Sequence, residues 1–203
     1  MITIIDYGCG NIKAFVNVYD RLNISVSVAS HPKDLLNASH LLLPGVGSFD
    51  FVMRSFNVSD MRDAVEEMVQ VKEIPVLGIC AGMQILANSS EEGAEQGLGW
   101  INGKVRLFEP DTIPFITKCP HMGWNNVVHS GSDLFFGIDQ EERFYFVHSY
   151  YFQPQSPDVT IGRTNYGIEF TSAVNRKNIF GVQFHPEKSH NAGIRLLKNF
   201  ASL

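Results

Sequence analysis

Over roughly its first ninety residues the chain repeats one pattern: a short apolar run, a turn rich in glycine or polar residues, then a helix-spaced segment. Ile2, Thr3, Ile4 and Ile5 read as a buried strand, residues 6–11 as a turn, and residues 12–22 as a helix with Ile12, Phe15, Val16 and Tyr19 on one face. Residues 24–29 alternate Val26 and Val28 with Ser25 and Ser27, as a half-covered strand does, and Leu41, Leu42 and Leu43 form a strand that ends at Pro44 and a glycine turn. Residues 60–71 space Met61, Val65, Met68 and Val69 for a helix, and residues 75–79 are another continuous apolar strand. Continuous apolar strands alternating with helices require a parallel sheet covered on both faces, so the fold class is α/β. After about residue 100 the texture becomes strand-like, at residues 104–108, 143–147, 168–173 and 179–183, before a closing helix over residues 192–200 that follows His190 and Asn191. No Ser/Gly/Pro-rich linker and no repeat interrupts the chain, which predicts one domain over residues 1–203 with a mixed or antiparallel second half.

The composition narrows the function classes. Hydrophobic residues make up 44% and charged residues 18% of the chain, enough apolar surface for a core and incompatible with disorder. Sixteen Lys and Arg against 21 Asp and Glu leave a net charge of −5, which offers no footprint for nucleic acid or an anionic membrane. Cys9, Cys80 and Cys119 are odd in number and widely spaced, unlike a disulfide framework or a metal site. No apolar run approaches the ~20 residues of a membrane span. The start, MITIIDYGCGN, lacks the charged and apolar regions of a signal peptide. The expectation is a cytoplasmic protein without metal or cofactor.

The segment PVLGICAGMQIL sets Cys80 between a buried strand and a helix, with Gly78 and Gly82 on either side. A nucleophile elbow needs that arrangement, because the sharp strand-to-helix turn tolerates only small neighbours and pushes the central side chain outward. Amides at the helix start lower a thiol pKa and can hold an oxyanion, which makes the Ala81 N–H a natural donor. Taken alone, the motif also fits a buried structural cysteine. A thiol nucleophile needs a base, and NIFGVQFHPEKS ends an apolar strand with His185, Pro186 and Glu187. Proline ends the strand pairing, and a carboxylate two residues from an imidazole can select its tautomer. By itself, such a turn also fits a structural histidine.

Together, GICAGMQ, FHPEKS and the preceding PGVGSFD resemble the class I glutamine amidotransferases, and among them the glutaminase subunits of imidazole glycerol phosphate synthases. The resemblance runs from IIDYGCGN to the last helix. It implies a flavodoxin-like amidotransferase fold with a mostly parallel central sheet, helices on both faces and an antiparallel extension. It also implies hydrolysis of L-glutamine to glutamate and ammonia by a Cys80, His185 and Glu187 triad. Gly45, Val46 and Gly47 then correspond to the oxyanion strand, Gln84 to a substrate-holding residue, and His148, Ser149 and Tyr150 to a second glutamine-binding strand. Glu92 corresponds to a partner for the substrate ammonium group.

The implied partner is a (β/α)8-barrel cyclase forming a heterodimer, fed with ammonia through a channel and activating the glutaminase allosterically. PHMGWNNV resembles the subunit-contact segment, with Met122, Trp124, Asn125 and the later Lys188 at that interface. Ala81, where a bulkier apolar residue is more usual, and Trp100 leave open a paralogue with the same glutaminase chemistry that feeds a sugar amidotransferase. A PfpI-like thiol hydrolase and a silent scaffold protein of the same fold also compete. The HPE turn speaks against the first, and the intact Cys80, His185 and Glu187 against the second.

Overall fold

Apolar runs of four to six residues, too short for core helices, pair side by side and give the molecule its central sheet. In the computed structural model, residues 1–116 and 118–203 are described. Their order is β1 (Ile2–Ile5), α1 (Ile12–Arg21), β2 (Val26–Ala29), β3 (His40–Gly45), α2 (Phe49–Val58), α3 (Arg62–Glu66), β4 (Val76–Cys80) and α4 (Ala81–Gln84). The second half adds β5 (Ser89–Ser90), β6 (Gly103–Leu107), β7 (His121–Asn126), β8 (Val128–His129), β9 (Arg143–His148), β10 (Tyr150–Pro154), β11 (Thr160–Tyr166), β12 (Ile168–Arg176), β13 (Ile179–Val182) and α5 (His190–Phe200).

The parallel part runs β2-β1-β3-β4-β13, the flavodoxin-like order with β13 in fifth place. Beyond β13 the sheet turns antiparallel through β12, β10 and β6, with β5 on the edge and β11 and β8 branching from β12. Strands β7 and β9 form a separate antiparallel ribbon. Each face of the parallel strands buries its own core. Ile4, Leu42 and Leu77 pack with Phe15 and Tyr19 of α1 and Leu196 and Phe200 of α5. Ile5, Leu41 and Leu43 pack with Phe49, Val52, Met53 and Phe56 of α2 and with Val65 and Met83.

Three local expectations need correction. Strand β3 does not stop at Pro44 but continues to Gly45, pairing Pro44 with Ile79 and Gly45 with Cys80. It can do so because its pairing with β1 ends at Leu42, leaving no ladder bond on that side for proline to break. The segment over residues 60–71 is not one helix: α3 gives way to a π-helical turn over Glu67–Val71, which still buries Met68 and Val69. Helix α2 was not foreseen, although Ser48 accepts from the Phe51 N–H as an N-cap and the i, i+3, i+4, i+7 positions Phe49, Val52, Met53 and Phe56 are all buried.

The five parallel strands point their C-terminal ends the same way, and an open sheet of this order places its ligand site there. Cys80 ends β4, Gly45 ends β3, and His185 follows β13. Because α2 carries much of one core, Phe56→Ala is expected to lower unfolding stability by about 3–5 kcal/mol, read from the urea midpoint at unchanged slope.

Candidate active site

The site is built around a strained residue. Cys80 has φ 56° and ψ −115°, left-handed backbone that a non-glycine residue adopts only when its surroundings dictate it. The surroundings are tight: a Cβ on Gly82 would enter the Leu43 carbonyl oxygen, and one on Gly78 would lie 2.6 Å from the Gly82 carbonyl oxygen. The Tyr7 hydroxyl donates to the Pro44 carbonyl below, fixing the peptide that leads into Gly45, and Gly47 has φ 112°.

His185 is clamped by its own backbone, its N–H donating to the Tyr145 carbonyl at 2.9 Å and its carbonyl accepting from the Ser189 hydroxyl at 2.6 Å. Its Nδ1 meets Glu187 Oε1 at 2.8 Å, with the two side chains only 3% and 2% exposed. Burial alone would pull the imidazole pKa down. Hydrogen bonds with Cys80 and Glu187 outweigh it and raise the His185 pKa to about 10. With Nδ1 committed to the carboxylate, Nε2 is the nitrogen free to serve the thiol. Thiol, imidazole and carboxylate thus stand in series, the order that a nucleophile, its base and an orienting acid require.

A cavity of about 310 Å³ opens over the thiol and is lined by Val46, Gly47, Cys80, Ala81, Gln84, Glu92, His148, Ser149, Tyr150 and His185, together with Val147. Sequence-predicted residues from five separate segments thus converge on one space. Gly45 lies outside the lining, paired with Cys80 beneath it, and Glu187 stands behind His185. Some of these side chains are already engaged. Glu92 Oε2 accepts from the Phe49 N–H at 2.7 Å, at the start of α2. Gln84 Nε2 donates to the Tyr150 carbonyl at 2.9 Å and to Gln183 Oε1 at 3.1 Å, and Gln183 Nε2 approaches Cys80 Sγ at 3.8 Å.

Sequence reading passed over Gln183 and His121. The signal for Gln183 was a lone amide inside the apolar run NIFGVQF. His121 Nδ1 lies 3.0 Å from His148 Nε2, and His148 Nδ1 lies 2.8 Å from the Tyr150 carbonyl. Burial pulls the pKa of His121 down to about 4 and that of His148 down to about 3.

The four residues expected at an interface lie close together but differ in exposure. Met122 is 61% and Trp124 41% exposed, the latter stacked on His190 at 4.8 Å. Lys188 is exposed, its Nζ 5.8 Å from the centre of the Tyr145 ring. Asn125 is half-buried, its amide turned inward. Cys9, Cys80 and Cys119 are all unpaired. Among the described residues, no group of three His, Cys, Asp or Glu is placed to hold a metal, and no helix is long and apolar enough to cross a membrane.

Two histidines buried neutral make acid destabilising. Their folded pKa values of about 4 and about 3 lie below the unfolded value near 6.5, so unfolding takes up protons as pH falls. Stability from this pair is complete above pH ~6.5 and declines towards pH 4 with a slope approaching roughly 2.7 kcal/mol per pH unit for two protons. Urea titrations between pH 7 and 4 are expected to show that decline, and His121→Gln to remove about half of its slope.

The family described as Glutamine amidotransferase class-I matches residues 3–202. The chain is 52% identical to an imidazole glycerol phosphate synthase subunit HisH of Bdellovibrio bacteriovorus and 49% identical to that of Leptospira interrogans, each match covering 100% of both chains. A solved glutamine amidotransferase superposes with a TM-score of 0.76 at 17% identity over 100% of both chains. The solved structure of PurLQS from Thermotoga maritima superposes with a TM-score of 0.74 at 16% identity, covering 99% of this chain and 97% of that one. These solved structures share the fold. With the family match spanning nearly every residue, the chain belongs to the class I glutamine amidotransferases.

Proposed function

We propose that this protein is the glutaminase subunit of an imidazole glycerol phosphate synthase, hydrolysing L-glutamine to L-glutamate and passing the ammonia to a cyclase subunit in histidine biosynthesis. The observation that carries the chemistry is the buried 2.8 Å bond between His185 Nδ1 and Glu187, with the Cys80 thiol on the other side of the ring at the mouth of a cavity of about 310 Å³. Full-length identity of 49–52% to HisH subunits supports the pathway.

In this mechanism the Cys80 thiolate attacks the side-chain amide carbon of glutamine. The Ala81 N–H and the peptides of Gly45, Val46 and Gly47 hold the oxyanion that forms. His185 delivers its Nε2 proton to the departing nitrogen, and ammonia leaves a glutamyl thioester. Water, deprotonated by the same nitrogen, then releases glutamate and regenerates the thiol. Glu187 keeps the ring oriented and supports its positive charge throughout. Gln84, Glu92, His148, Ser149 and Tyr150 form the wall that receives the amino-acid end of the substrate.

Free ammonia is useful only when delivered, so the chain works as a heterodimer with a (β/α)8-barrel cyclase, in the cytoplasm. The exposed Met122 and Trp124, with Asn125 and Lys188 beside them, form the face presented to the barrel.

Glutamate release from glutamine tests the reading, measured on the purified chain alone and with a histidine-pathway cyclase plus its nucleotide substrate analogue. Many-fold activation by the cyclase is expected. Cys80 labelling by a glutamine analogue without such activation would keep the glutaminase and move the ammonia to another acceptor. In the activated complex, Cys80→Ser is expected to lower the rate about 10³-fold or more at unchanged melting temperature, and Glu187→Gln by about 10²-fold or more. A Cys80→Ser protein that still releases glutamate at the wild-type rate would refute the mechanism.

A further inference from the structure

Beside the cavity over Cys80 lies a second hollow, of about 580 Å³, whose lining includes Phe115, Met122, Trp124, Asn125 and His121. His121 forms part of its floor, and His148 part of the wall of the first cavity. The contacts between these two rings allow only one arrangement of protons. A carbonyl can only accept, so His148 Nδ1 must donate to Tyr150 at 2.8 Å. A neutral imidazole carries one N–H, so His148 Nε2 accepts, and His121 Nδ1 donates to it at 3.0 Å. His121 Nε2 must then accept, and the group facing it at 3.2 Å is the Asn125 Nδ2 amide.

Asn125 is not free to reverse. Its Nδ2 also donates to the Asn165 carbonyl at 2.9 Å, and its Oδ1 accepts from the Asn126 N–H at 2.9 Å, so a flipped amide would oppose like groups at both places. The His121 ring is held flat between Tyr166 at 4.1 Å and Phe146 at 4.7 Å. At the far end, the Tyr150 carbonyl takes its second bond from Gln84, which leads through Gln183 to Cys80 Sγ.

We propose that Asn125 is a positioning residue for the substrate cavity: its amide dictates the tautomers of His121 and His148 and thereby pins the Tyr150 carbonyl and the Ser149 turn that wall the site. The role in substrate binding rests on reading that cavity as the glutamine site. The chain of bonds itself does not. A carboxylate at position 125 reverses the logic. It accepts from His121 Nε2–H, leaves His121 Nδ1 as an acceptor facing His148 Nε2, and breaks the chain unless His148 takes a second proton.

Long-range 1H–15N spectra of the full chain at neutral pH read the tautomers directly. Labelling of Cys80 by a chloroketone analogue of glutamine, followed against analogue concentration, reads the cavity. In the wild type both rings are expected in the Nδ1–H form. In Asn125→Asp, His121 is expected to change to the Nε2–H form, and the half-saturating analogue concentration to rise about five-fold or more, as loss of one net hydrogen bond requires. The limiting labelling rate is expected to stay within about two-fold, because the triad is untouched.

A wild-type His121 in the Nε2–H form or as imidazolium overturns the proposal, and so does an Asn125→Asp protein whose tautomers change while half-saturation does not. If that variant folds poorly, Asn125→Ala removes the donor without adding charge, and the same weakening of analogue binding is expected. A wild type with both Nδ1–H forms but no labelling by the analogue counts against glutamine as the substrate and supports the chain of bonds.

Discussion

Holding Cys80 in left-handed backbone costs on the order of 1–3 kcal/mol, and the fold meets that cost by crowding. Strand β3 pairs Gly45 against Cys80, the Leu43 carbonyl closes on Gly82, and Tyr7 ties down Pro44 from below. None of these neighbours can relax without disturbing a central strand of the sheet. The strain therefore stays where it turns the thiol towards the cavity, and the nearby peptides of Ala81 and of residues 45–47 inherit a fixed position relative to sulfur.

A second constraint is electrostatic. The region around Cys80 buries three imidazoles with opposite fates. His185 keeps a carboxylate and a thiol as partners, which outweigh burial and favour its charged form. His121 and His148 have each other, an amide and a carbonyl, so burial dominates and both stay neutral. Neighbours only a few ångströms away thus separate a ring that favours its cation from a pair of neutral, fixed dipoles, by the choice of partner.

Much of this was legible in the sequence. The parallel strands declared themselves as continuous apolar runs, and the elbow and the HPE turn declared themselves because both use residues that are poor strand or helix formers in places where geometry demands them. What escaped notice was of two kinds. Helix α2 hides behind the Gly-rich turn, and its aromatic residues read as readily as strand. The Gln183 and His121 contacts depend on pairing between strands distant in sequence, which fixes what faces a side chain without leaving a local pattern. Pro44 was read as a stop because proline usually ends a strand. The register of β1, which withdraws at Leu42, is what permits it to continue.

Ser149 is the one residue between β9, which belongs to the two-stranded ribbon, and β10, which belongs to the main sheet. The cavity wall is therefore also a mechanical joint. On the exposed face of the ribbon, Met122 and Trp124 pair with Val147 and Tyr145, only two and four residues before Ser149, so that face lies close to the joint. A load on that face, carried along this strand, enters the main sheet through the wall of the cavity.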